Sequence, residues 1–489
     1  MKALKKLSGE TVIYGVPSIV GRFLSWWLNP YWTYIFIEGE LGKVNYVYAV
    51  VAFLFVILTY GMETGYFRFA SKETNKDSVF STSFISLSVS SILFLLLVLF
   101  NKENFATLMQ MPGRADFITI MSLTIVLDVV SSIPFAKLRL DHRPVRFAYI
   151  KFINIGINIG LNLFFLSLCP LIIKHFPNSF ISSIYSKDFG IGYVFLSNLI
   201  SSIVTMILLI PEIKVKWSFD FLLLKRMFNY SFPILIVGIT GMINQNIDKI
   251  LLPNLLSDSA DPMKQLAIYS AAFKMAVLLD MFIQAFRFAF EPFIFSQKEG
   301  KDTNEMYVIV MKYFSILGLI IFLGMSTFVD LVMGINDSRY REAVGIVPII
   351  LMANFFMGIF FTQSLWYKLT DKTIYGAYFG IIGSVIAILL NILLIPIIGY
   401  YGSAIAMLVC FIVMTIVSYV VGHKYYPINY DLKNFSFYLI ISLFLFGIYW
   451  FFREPDSPKY FLSIIMNLIF ISIIFFKERK DFIKIFRMN

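Results

Sequence analysis

Long apolar stretches alternate with short polar gaps along the whole chain. Fourteen of them can be drawn, over residues 11–37, 44–67, 80–100, 117–136, 147–168, 190–210, 230–253, 266–294, 307–329, 343–366, 374–396, 402–421, 434–452 and 460–476. Each is close to the ~20 residues that an α-helix needs to cross a bilayer. Membrane strands would instead show segments of about ten residues alternating in polarity. Runs such as Ser90–Phe100 and Ile381–Ile395 are apolar throughout. The pattern therefore predicts an all-α polytopic membrane protein of about fourteen transmembrane helices.

The order of features repeats. Phe67-Arg68-Phe69-Ala70 closes the second stretch, and Phe286-Arg287-Phe288-Ala289 lies late in the eighth, 219 residues on. Ala148-Tyr149 and Asn162 recur as Ala377-Tyr378 and Asn391 at an offset of 229, and Leu138-Arg139-Leu140 is paralleled by Tyr367-Lys368-Leu369. Leu4-Lys5 opens one copy and Leu224-Lys225 the other. These matches predict a duplicated six-span unit: an N-lobe over 1–215, a C-lobe over 216–425, and two extra helices with a basic tail over 426–489. Six spans is an even number, so both copies enter the membrane in the same sense, and their pseudo-twofold axis runs along the membrane normal.

Composition and charge sharpen the picture. The chain is 58% hydrophobic with mean hydropathy +0.78, more apolar surface than a water-soluble protein of this size can hide. Its net charge of +11 could suggest nucleic acid, but the distribution of the charge points to topology instead. Of the 41 Lys and Arg residues, 25 fall in the gaps on one side and 10 on the other. The positive-inside rule then places both termini in the cytoplasm. The basic start at Met1–Glu10 precedes no small-residue cleavage site, so a cleavable signal peptide is not expected. Cys169 and Cys410 allow no disulfide framework, and His142, His175 and His423 are scattered, so neither a metal site nor a cofactor is expected.

The other six basic residues, Arg22, Lys151, Lys249, Lys274, Arg287 and Lys312, lie within spans. A charge at mid-bilayer costs roughly 3 kcal/mol on insertion scales, so such groups face a wet cavity or a partner. Several belong to narrow polar faces at helical spacing: Ser18, Arg22, Ser25 and Asn29; Lys151, Asn154, Asn158 and Asn162; Asp280, Gln284, Arg287 and Glu291; and Thr124, Asp128 and Ser131. The seventh span carries Asn244-Gln245-Asn246 and Asp248-Lys249. Arg22 and Asp128 sit about 17 Å along their spans, Lys274 about 12 Å, Asp280 about 21 Å and Lys151 about 6 Å, at the helical rise per residue. Two readings stay open. In the structural one the shallow charges snorkel, Asn154 and Asn158 bond between helices, and Arg22 or Lys274 pairs with Asp128 or Asp280. In the functional one these faces line one polar vestibule. Arg22, Lys151, Asn154, Asn158, Lys249, Lys274 and Arg287 meet an anionic headgroup there, while Asp128, Asp248 and Asp280 take a coupling Na+ or H+. Deep acids and bases nearly balance, so the charges alone do not compel an anionic substrate.

Enzyme chemistry finds no foothold. The sequence has neither a Walker A loop nor HExxH. Its outer gaps are too short for the catalytic domain of a glycan polymerase or ligase. Glu38-Gly39-Glu40 reads as a solvated acidic turn rather than the paired acids of a membrane glycosyltransferase.

Taken together, several stretches resemble the oligosaccharide and lipopolysaccharide-unit flippases of the multidrug/oligosaccharidyl-lipid/polysaccharide exporter superfamily. They are Leu4-Lys5-Lys6-Leu7 through Tyr14-Gly15 to Gly21-Arg22-Phe23-Leu24, Tyr60-Gly61-Met62-Glu63-Thr64, Ala267-Ile268-Tyr269-Ser270-Ala271-Ala272-Phe273-Lys274, and Asn391-Ile392-Leu393-Leu394-Ile395-Pro396 followed by Gly399, Gly402, Ala404, Ile405 and Ala406. The resemblance covers nearly the whole chain, and its specificity lies in the combination of stretches. It implies two lobes working by alternating access on an undecaprenyl-diphosphate-linked oligosaccharide, in a bacterial inner membrane. Arg22 and Lys274 match, by span and depth, the cations that meet the diphosphate. Membrane lipids and a polysaccharide polymerase are the implied partners, and nucleic acid is not. A multidrug exporter of the same superfamily is the alternative, and would favour acids over bases at mid-depth. A membrane scaffold fits poorly with charge at several depths.

Overall fold

A computed structural model describes residues 20–21, 23–257, 260–295, 301–370, 372–454 and 458–487, with 288–295, 301–304, 369 and 480–487 described as backbone only. The protein is all-helical, and thirteen helices among the described residues are long and apolar enough to cross a membrane. The first expected stretch lies partly outside the described residues; its remainder is helical to residue 35 (α1). The others are α2 (Glu38–Ala70), α3 (Lys76–Phe100), α4 (Ala115–Leu140), α5 (Pro144–His175), α6 (Gly192–Ile213), α7 (Phe221–Leu255), α8 (Pro262–Phe295), α9 (Lys301–Thr327), α10 (Ser338–Lys368), α11 (Ile374–Ile398), α12 (Tyr400–Tyr425), α13 (Leu432–Phe452) and α14 (Tyr460–Arg487). Large apolar side chains stay on the outside of these helices, Phe100 at 85% exposure being one, as a lipid solvent permits.

Two helices carry an irregular turn, each for a local reason. The span expected to end at residue 168 continues to His175 through a π-helical turn at Phe164–Leu168. Pro170 follows that turn; proline has no N–H to give, and a widened turn lets the helix pass the ring. The helix α2 breaks at Tyr60 and Gly61, both left-handed, with φ of 33° and 68°. A Cβ on Gly61 would stand 2.8 Å from the Ser231 carbonyl, so glycine serves both the turn and the close approach of α7.

The chain forms two compact units, residues 1–250 and 251–489. In the first, α4 packs against α3 and α6, and α6 against α5. A core of Met62, Tyr66, Phe80, Ile125, Val129 and Met227 fills the space between α2, α3, α4 and α7. In the second, α10 packs against α9 and α12, and α12 against α11. The order of neighbours is thus the same in both units. Single residues of the repeat match as well. Asn162 and Asn391 each donate to the carbonyl four residues back, at 2.8 and 2.7 Å. The Arg68 and Arg287 guanidinium groups each lie over an aromatic ring, Tyr230 at 4.0 Å and Phe361 at 4.4 Å.

The two final helices pack on α9. Lys312 pairs with Glu478, which also accepts a bond from the Tyr438 hydroxyl at 2.6 Å. At the other end of α9, Arg453 donates to both carboxylate oxygens of Asp330 at 2.9 and 2.5 Å. Asp330 holds the Arg453 guanidinium above its ordinary pKa. Lys312, an in-span cation in the sequence, is therefore half of a buried pair joining α9 to α14.

Candidate functional site

The polar faces of α4, α5 and α6 meet inside the first unit. Asp128 on α4 accepts a bond from the Ser202 hydroxyl on α6 at 2.7 Å. Lys151, one helix over, has Asp128 as its strongest charged neighbour, and its ammonium lies 4.2 Å from the Phe135 ring centroid. One turn further along α5, Asn154 donates to Thr205 at 2.9 Å. Asn158 then donates to Asn198 at 3.4 Å, and Asn198 also bonds Tyr48 of α2. Asn162 ends the row, its Oδ1 taking the Trp32 indole N–H at 3.2 Å. Steps of three and four residues put these groups on one face of α5, and α6 answers with Asn198, Ser202 and Thr205 at the same spacing. The result is a polar seam inside an apolar bundle, with an acid and a base at one end.

Among the described residues, Lys151 is the basic neighbour of Asp128. Arg22 lies outside the described residues. Asn154 and Asn158 bond between helices, and both remain partly exposed.

On α7, Asp248 is buried and its Oδ1 accepts from the Lys249 backbone N–H at 2.8 Å, while the Lys249 ammonium donates to Asn246 at 2.9 Å. In the second unit Asp280 accepts from Gln284 at 2.6 Å, one turn along α8. Arg287 follows one turn later on the same face, over Phe361 of α10. Lys274 is partly buried nearer the start of α8. The side chain of Glu291 is outside the described residues.

Some groups escaped the sequence reading. The cations of the α4–α5 turn looked like ordinary positive-inside charge. Three of them surround one acid: Glu212, 4% exposed, takes Arg143 at 2.9 Å and Arg146 at 2.7 Å through its carboxylate, and Lys137 at 2.8 Å through its carbonyl. Arg139 pairs with Glu63. The only hint in the sequence was an acid placed directly after Pro211 at the end of a span. The α5–α6 connection also borders an open cavity of about 740 Å3, faced by Phe165, Phe180, Tyr185 and Tyr193 with Arg114 beside them. Tyr185 and Tyr193 stack there at 4.9 Å, and burial pushes the Tyr185 hydroxyl above its ordinary pKa.

A family model described as "Polysaccharide biosynthesis protein" matches residues 37–344, more than half of the chain. The chain belongs to this polysaccharide biosynthesis family. Comparison with curated proteins gives no match. Among solved structures, one described as the lipid II flippase MurJ in an inward closed conformation is similar over 95% of this chain and 99% of its own, with a TM-score of 0.73 at 15% identity. An inward-facing multidrug resistance transporter of the MATE family, in the MOP superfamily, is similar over 85% of this chain and 94% of its own, with a TM-score of 0.64 at 14% identity. At such identities the likeness is one of fold. This member of the polysaccharide biosynthesis family thus has the fold of the multidrug/oligosaccharidyl-lipid/polysaccharide exporter superfamily, whose matched structures are a flippase and transporters rather than enzymes.

Proposed function

We propose that the protein is a flippase that turns an undecaprenyl-diphosphate-linked oligosaccharide from the inner to the outer leaflet, for surface polysaccharide or lipopolysaccharide assembly. The observation that carries this reading is the charged seam of Asp128, Lys151, Ser202 and the α5 asparagines, inside a lipid-soluble bundle of a polysaccharide biosynthesis family member. Buried ionisable groups in membrane spans are expensive and are kept for pathways and relays.

The two lobes, 1–215 and 216–425, alternate in access, with 426–489 as an appendix. The protein sits in a bacterial cytoplasmic membrane with both termini in the cytoplasm, as the surplus of 25 basic residues over 10 favours. Arg22, Lys151, Lys249, Lys274 and Arg287 meet the diphosphate by charge-assisted bonds, and Asn154 and Asn158 contribute amide donors. Asp128, Asp248 and Asp280 take the coupling Na+ or H+. Asp128 also gives that coupling a physical form. While charged, it attracts Lys151; once a proton or cation neutralises it, the Lys151 ammonium is released to an incoming phosphate. A polysaccharide polymerase is the partner that would use the flipped product. Multidrug export is the second reading, favoured by the MATE-like fold.

The test is export of surface glycan. Arg22→Ala and Lys274→Ala each abolish it with protein abundance intact, and deletion of the protein leaves drug accumulation unchanged. Loss of abundance in both variants would contradict the substrate role, and a clear efflux phenotype would favour the second reading.

A further inference from the structure

The second unit contains a slot unrelated to the charged seam. It measures about 240 Å3 and lies between α9, α10, α12 and α13. A single water occupies roughly 10–15 Å3 by this measure, so the slot holds on the order of twenty waters' worth of space, enough for a hydrocarbon chain. Its walls are almost wholly apolar, with Met311, Phe356, Ile359, Ile416 and Phe435 among them. One exception is informative. Gln363 lines the slot at 5% exposure, and its Oε1 has no hydrogen-bond donor among the described residues. A buried acceptor left without a donor is costly and calls for an occupant that brings one.

Charge at one end says more. Lys312 and Asp431 line the slot where α13 begins. Lys433, Lys312, Asp431 and Glu478 are charged neighbours of Lys477 there, so among the described residues three cations stand against two carboxylates. Asp431 is engaged in capping α13 through the Asn434 N–H at 3.0 Å, and Glu478 through Lys312 and Tyr438. Among the described residues the surplus is positive, and it lies beside an apolar slot in which Gln363 Oε1 lacks a donor.

We propose that this slot binds a membrane phospholipid with an anionic headgroup that carries a hydroxyl. One acyl chain fills the slot, the phosphate faces the lysine cluster, and the headgroup hydroxyl donates to Gln363 Oε1. The slot's lining lies wholly within the second unit, and the proposal does not depend on what the transported molecule is.

Native mass spectrometry of the detergent-purified full chain tests this, with phosphatidylglycerol and phosphatidylcholine of matched chains as probes. The wild-type chain retains one phosphatidylglycerol in preference to phosphatidylcholine. Gln363→Leu weakens phosphatidylglycerol binding about tenfold, the size of one buried hydrogen bond, and leaves phosphatidylcholine unchanged. Ile416→Trp, which fills the slot from a lipid-exposed position, removes both. If Ile416→Trp does not fold, Gln363→Leu decides alone. Equal binding of the two lipids by the wild-type chain, or unchanged phosphatidylglycerol binding in Gln363→Leu, overturns the proposal. Displacement of phosphatidylglycerol by a polyprenyl phosphate at equal concentration also overturns it, because the slot would then belong to the carrier lipid.

Discussion

Asp128 is a carboxylate with one short bond from Ser202 and a lysine as its charged neighbour, between helices that face lipid. Asparagine has nearly the same shape and can keep the Ser202 bond, but it carries no charge and cannot change protonation state. Asp128→Asn therefore separates packing from coupling. We expect the variant to fold with wild-type stability and to lose dependence of transport on the imposed ion gradient, a change of about tenfold in the ratio of rates with and without the gradient, within the ordinary span of coupling energies. Transport by purified variant and wild type, each measured with and without a pH or Na+ gradient, checks it; an unchanged ratio in Asp128→Asn removes Asp128 from the coupling role. At this scale the sequence showed which residues share a helical face, because i, i+3 and i, i+4 spacing depends on one helix alone. It did not show partners across helices. Lys151 and Asp128 lie on different helices, and only the packing of α4 against α5 and α6 brings them near each other.

At the scale of elements, the α4–α5 turn is fastened to the end of α6 by Glu212. Its carboxylate is buried while Arg143 and Arg146 are partly exposed, so the Coulomb attraction is screened on one side only. Glu212→Ala leaves the two arginines facing each other without the acid, and we expect a loss of about 2 kcal/mol, with Glu212→Gln recovering part of it. Chemical denaturation of the purified variants reads this out, and unchanged stability in both would show the clamp to be idle. Helix positions followed the apolar runs, and two of the differences in bounds have a local cause. Pro170 signalled a stop but was absorbed by a π-turn. The α7 helix begins at Phe221 rather than 230, because Leu222, Leu223 and Leu224 lead into an amphipathic turn with Lys225 and Arg226 that a hydropathy reading assigns to a gap. Backbone accommodation and amphipathic starts are both invisible to a count of apolar residues.

For the whole molecule, the duplication legible in ordered short matches reappears as the same order of helix neighbours in each unit. The role of the last two helices was not legible, since nothing in the sequence joins Lys312 to Glu478 or Asp330 to Arg453 across more than a hundred residues. Removing residues 426–489 takes Glu478 from Lys312 on α9 and Arg453 from Asp330 just beyond it. We expect the truncated chain to lose about 3–5 kcal/mol, as an uncompensated buried charge does, and Lys312→Met to restore part of that loss in the truncated chain. Thermal unfolding of the three proteins decides, and a truncation that melts like the full chain would show the appendix to be loosely held. Movement across the bilayer is read out by leaflet exchange of an undecaprenyl-diphosphate-linked oligosaccharide by the purified protein in proteoliposomes. We expect exchange that is gradient-dependent in the wild type and lost in Lys274→Ala. Exchange no faster than in empty vesicles, or equally fast in Lys274→Ala, would contradict it.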